Sequence, residues 1–150
     1  LADLFDHVNP GDWPRPRGYA NGIVTAGKGE RILFVAGMIG WTPDGEFPSD
    51  DLVDQFATAL DNVLAVVRAA GGGPEHVARM TVYVTDLPAY RAGLRAIGEA
   101  WRARFGRHYP AMALLGVAGL VEPRAKVEIE ATCVLAPQVE RAARAEVERA

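Results

Sequence analysis

A single cysteine, Cys133, stands in 150 residues. That excludes an intrachain disulfide framework and a zinc site built from cysteines, and it suits a reducing compartment. A dominant charge is also missing: 16 Lys and Arg face 19 Asp and Glu, for a net charge of −3 and a pI near 5.6. With no basic excess to displace counterions from a phosphate backbone, no nucleic-acid partner is expected. No apolar run approaches the roughly 18 residues of a membrane span. The opening LADLFDHVNP lacks the basic-then-apolar order of a secretion signal. The expectation is a cytoplasmic protein with no membrane partner. His7, His76 and His108 lie in separate segments and no HExxH is present, so no metal is expected. GxGxxG, GxxxxGKS/T and GxSxG are absent too. Gly71-Gly72-Gly73 follows a helical pattern, where glycine stops a helix, rather than leading from a strand into one. No cofactor is expected.

What is present is the composition of a globular domain: 49% hydrophobic, 23% charged, mean hydropathy +0.02. A chain of this length can bury roughly 70% of its unfolded surface and needs no staple. Pro10, Pro14 and Pro16 with Gly11 and Gly18 make residues 1–17 an extended arm, so regular structure is expected from about Tyr19. YANGIVTAG and ERILFVAG are β-prone runs joined by Gly27-Lys28-Gly29, a hairpin signal. Pro43-Asp44-Gly45 marks a turn. Beyond Ser49, the expected N-cap, Leu52, Phe56, Leu60, Val63 and Val67 recur at helical spacing until Gly71. HVARMTVYVTDL alternates as a strand of about eight residues. Asp86 and Pro88 open a second helix, whose stripe is Tyr90, Leu94, Ile97, Trp101 and Phe105 and which ends near Gly106. PAMALLGVAGL and AKVEIEATCVL complete the strands, and the Ala-, Glu- and Arg-rich residues 137–150 read as a helical tail. The order β-β-α-β-α-β-β gives an α+β fold, a single-layer sheet with two helices on one face, as one domain over residues 18–136.

In the last strand Val127, Ile129, Ala131 and Cys133 share one face, and Glu128, Glu130 and Thr132 share the other. Cys133 is therefore read as a buried, inert thiol. Glu128, in the middle of an otherwise apolar strand, faces solvent, has a partner, or carries a raised pKa suited to proton transfer. Trp41, after two glycines, is either a pocket wall or an ordinary core residue. The residues alone leave both questions open.

Taken in order, Gly18-Tyr19, VAGMIG, PDGEF, DQFATALDNVLAVVRAAGG, HVARMTVYVTDL, Tyr109-Pro110-Ala111 and KVEIEATCV resemble the RidA/YjgF family of reactive-intermediate (enamine/imine) deaminases over about residues 18–135. The resemblance implies the chorismate-mutase-like YjgF fold. It also implies a homotrimer around a central barrel, with clefts between subunits that hydrolyse small 2-imino acids without metal or cofactor. Carried over by position, the catalytic residues are Glu128, which activates water, and Tyr19, and Gly37 completes the pocket. Where the family places an arginine for the substrate carboxylate, this chain has Met112. A thioether supplies neither charge nor a paired hydrogen bond. Ala113 and Leu114 replace a small polar pair, Met38 replaces a glutamine, and Arg95 replaces an asparagine of the second helix. The substrate-binding set is therefore Gly37, Met112, Arg95, Trp41 and Leu114, in a more apolar cleft than is usual, and the expected ligand is a small molecule of changed type.

Two readings follow. One is a hydrolase of imines or enamines other than the small 2-imino acids; the other is a trimer that binds a small molecule without turning it over. A ribonuclease role, attached by name to some family members, is opposed by the acidic pI.

Overall fold

The computed structural model describes residues 4–138; the expected tail helix falls almost wholly outside them. Among the described residues a six-stranded sheet runs in the order β1-β2-β3-β6-β4-β5. Its strands are β1 (Phe5–Val8), β2 (Gly22–Thr25), β3 (Arg31–Ile39), β4 (Val77–Val84), β5 (Ala111–Gly116) and β6 (Val127–Leu135). β3 is followed by helix α1 (Leu52–Ala69), and β4 by α2 (Leu87–Ala92) and α3 (Leu94–Phe105). The expected hairpin is β2 and β3, antiparallel with Val24 opposite Leu33. β6 pairs antiparallel with both β3 and β4, while β4 and β5 are parallel and joined through α2 and α3. A parallel pair needs such a crossover.

Helix α1 forms because its apolar side chains repeat on one side: Leu52, Phe56, Leu60, Val63 and Val67 are all buried. Its N-cap is Asp51, not Ser49: the Asp51 carboxylate accepts from the amides of Val53 and Asp54 at 2.9 and 3.1 Å. Ser49 instead accepts from the Asp51 amide at 3.0 Å, which orients the cap. The helix closes in a Schellman motif. Gly72 N–H reaches Val67 O, Gly71 N–H reaches Arg68 O, and Gly71 takes the positive φ (90°) this ending requires.

The sheet's other ends depart from expectation. Regular structure begins well before Tyr19: residues 5–8, a proline-free stretch before Pro10, pair with β2 as an edge strand, Val8 opposite Gly22. The second helix breaks at Gly93, which caps α2 and opens α3. The break turns Leu94 out to solvent, while Ile97, Trp101 and Phe105 stay buried. Leu33, Val82, Ile129 and Cys133 point from the sheet into the core beneath the helices. No helix of the described residues is long and apolar enough to cross a membrane.

Candidate functional site

The strand parity that sends Ile129 and Cys133 into the core sends Glu128 to the opposite, helix-free face. Next to it, β3 carries a bulge. Val35 opposes Ala131 and Met38 opposes Ile129, so Ala36 and Gly37 together face Glu130 alone. The bulge lays the bare backbone of Gly37 against the Glu128 carboxylate. Tyr19, just before β2, and Trp41, just after β3, stand around the same space. The result is a cavity of about 960 Å³ with Glu128 and Gly37 in its lining.

Two buried amides of α1 brace the strands around the cavity, and Asn62 also lines it. Asn62 donates from Nδ2 to Ile39 O at 2.9 Å and to Trp41 O at 2.8 Å, fixing where β3 ends and where Trp41 begins. Gln55 donates to Ser49 O and Arg124 O and accepts from the Lys126 amide at 2.8 Å, which holds the approach to β6. The turn at Thr42–Gly45 is closed by Gly45 N–H to Thr42 O at 2.9 Å, and Trp41 leans on Phe47 with centroids 6.0 Å apart.

Partial burial pushes the Glu128 carboxyl above the usual glutamate range, and the nearby Glu130 charge pushes it the same way. Glu130 in turn accepts from Tyr83 Oη at 2.9 Å. Tyr83 sits opposite Glu128 across the β4–β6 pair, and the Glu130 bond raises its pKa. A carboxyl of this kind, reached by solvent through a cavity, can take a proton from water and return one. Burial pushes the Cys133 thiol up to about 12, as an inert core thiol requires. Among the described residues no three His, Cys, Asp or Glu side chains gather as a metal site needs.

A family model described as Endoribonuclease L-PSP matches residues 16–135. The chain belongs to the Endoribonuclease L-PSP family. This is the RidA/YjgF family of the sequence resemblance. TdcF of Escherichia coli (strain K12) is 36% identical over 107 residues, which is 69% of this chain and 78% of TdcF. The 2-iminobutanoate/2-iminopropanoate deaminase of Homo sapiens is 28% identical over 109 residues, 72% of this chain and 76% of that protein. The crystal structure of E. coli TdcF with bound serine matches with a TM-score of 0.70 at 34% identity, over 86% of this chain and 98% of the other.

In this L-PSP-family chain the expected site residues fall into two groups. Glu128, Tyr19, Gly37 and Trp41 line one cavity, and Met38 joins them. Met112 and Leu114 do not. They lie on edge strand β5, in register with Met80 and Val82, whose side chains belong to the helix-covered face and not to that of Glu128. Arg95 is also elsewhere: it stands on the solvent flank of α3, with its side chain 94% exposed and Nε 3.3 Å from Glu99 Oε1. Sequence reasoning missed Asn62 and Gln55, although two amides on the buried side of an apolar helix were a readable signal. It also missed the cavity wall formed by Trp13, Pro14, Arg15, Pro16 and Arg17. That wall depends on β1 joining the sheet, which the proline density of the arm concealed.

Proposed function

We propose that this chain hydrolyses reactive imines, or their enamine tautomers, to the corresponding carbonyl compound and ammonia. The observation that carries this is Glu128: a part-buried carboxyl with a raised pKa, held against the bare backbone of Gly37 inside a cavity that Tyr19 also lines. In the proposed sequence the Glu128 carboxylate takes a proton from water as its oxygen bonds to the imine carbon. Glu128 returns that proton to the carbinolamine nitrogen, and as the C–N bond breaks ammonia leaves with the bonding pair while the hydroxyl gives its proton back to the Glu128 carboxylate and becomes the carbonyl. Tyr19 orients the substrate. The human relative named 2-iminobutanoate/2-iminopropanoate deaminase supports the reaction class.

The functional unit we propose is a cytoplasmic homotrimer with a central barrel. The helix-free sheet face supports it, because Ile32, Phe34, Leu115 and Val134 stay exposed in the single chain. Assembly against a second protomer would cover that face. It would also let the edge strand of a neighbour, with Met112 and Leu114, close the cleft that Glu128 opens. Met112 in place of a guanidinium argues for a substrate other than small 2-imino acids. RNA is not the proposed substrate, because a chain of net charge −3 has no basic excess to hold a phosphate backbone.

The test is ammonia release from imines generated in situ by an amino-acid oxidase, measured with and without the chain. Faster release supports the reading. No acceleration with any imine, while keto acids still bind, would leave the non-catalytic binding trimer that Met112 also suits.

A further inference from the structure

The cavity holds two cations that neither the fold nor the proposed chemistry uses. Arg15 and Arg17 line it together with Trp13, Pro14 and Pro16, and among the described residues neither takes part in an ion pair. The segment that carries them is held at both ends. Val8 pairs with Gly22 across β1 and β2, and Asn21 donates to Asn9 Oδ1 at 2.5 Å. Within the turn, Asn9 Nδ2 donates to Pro10 O at 3.0 Å and Trp13 N–H to Pro10 O at 3.0 Å. Trp13 packs against the core cluster. Trp13 and Arg15 each precede a proline, which confines both to extended backbone and lowers the entropy lost in presenting the side chains.

The cavity is also more aromatic than a three-carbon imine needs: Trp13, Tyr19 and Trp41 all stand in its lining, as a ring-bearing ligand would require. Resting on the deaminase reading of this cavity, we infer that the arm supplies the carboxylate anchor that Met112 cannot, so that the substrates are 2-imino acids with aromatic side chains. The carboxylate meets Arg15 and Arg17, the ring lies among Trp13, Tyr19 and Trp41, and the C=N carbon faces Glu128. Guanidinium suits this task because its planar fork pairs with both carboxylate oxygens. Asp44 and Glu122 share the lining and repel a carboxylate, which leaves the two arginines as its partners there.

The test uses the full chain and calorimetric titration with phenylpyruvate, with phenylacetone, which has the ring but no carboxylate, and with pyruvate, which has the carboxylate but no ring. Wild type should bind phenylpyruvate about tenfold tighter than either, a preference worth about one charge-assisted pair. The double change Arg15→Ala/Arg17→Ala should erase the advantage over phenylacetone, and Arg15→Lys/Arg17→Lys should restore part of it. With the imine of phenylalanine the alanine variant should show KM raised about tenfold and kcat within about twofold, as expected when uniform binding is lost. A preference that survives the alanine changes, or that wild type never shows, overturns the inference even if imines are hydrolysed. An arm-dependent preference with no imine hydrolysed upholds the anchor and overturns only the deaminase reading.

Discussion

Gly37 has no side chain because Glu128 occupies the place of one: a Cβ there would lie 2.9 Å from the Glu128 Cδ and closer still to Oε1. The bulge in β3 and the glycine in it act together, since the first brings the backbone to the carboxylate and the second leaves room for it. Gly37→Ala is expected to displace the Glu128 side chain from the cavity and lower kcat/KM about 100-fold, the usual cost of a misplaced reacting group. A thermal melt run beside the ammonia assay should show the fold kept.

Glu128→Gln should lower turnover by about 10² to 10⁴, the range of general acid–base catalysis. It also carries a pH signature. Because the folded-state pKa lies above the ordinary one, Glu128 costs stability only when it is charged. Below the ordinary glutamate value both states hold the proton and nothing is lost; stability falls as pH rises from there through the raised value. The glutamine variant should therefore melt higher than wild type at about pH 7–8 and converge with it near about pH 4. Scanning calorimetry across that window checks the sign.

Asn62→Ala would leave the carbonyls of Ile39 and Trp41 without their side-chain donor. A loss of about 2–3 kcal/mol follows from unpairing buried polar groups. It should appear as a lower urea midpoint at unchanged slope. Substrate KM should rise with it, since Trp41 is no longer tied down.

Met112→Arg should increase kcat/KM on 2-iminopropionate about 100-fold or more, because a carboxylate partner returns where the family resemblance places one. The gain depends on assembly, as β5 lies on the far side of β4 from Glu128 within the single chain. Sedimentation should accordingly give a species of three chains. A monomer at all concentrations would contradict the trimer.

Much of the fold was legible because its signals are periodic. The alternation in residues 127–133 placed Glu128 on its face before any coordinates, and the spacing from Leu52 to Val67 placed α1. What stayed hidden depends on partners distant in sequence. β1 is four residues long, exposed except at Val8, and becomes a strand only because β2 offers it an edge. The break at Gly93 was masked by a stripe that continues through it, and Leu94 was counted as core for that reason. Arg95 and Met112 were drawn to the site by position in the resemblance, whereas the single chain sets Arg95 beside Glu99 and Met112 in register with Met80. Arg15 and Arg17 were overlooked because no local pattern shows which surface a proline-rich segment will cross.

The pairing of Val8 with Gly22 makes residues 9–21 the loop of a hairpin, closed at its base by the sheet itself. Loop closure depends only weakly on length, and doubling such a loop costs only about 0.6 kcal/mol. Loop residues other than Asn9, Trp13 and Asn21, which tie the loop to itself and to the core, can therefore be exchanged, added or removed while the strands keep their register. Ligand range and folding are carried by separable parts of the chain, and one scaffold can be refitted to new ligands by recutting a single loop.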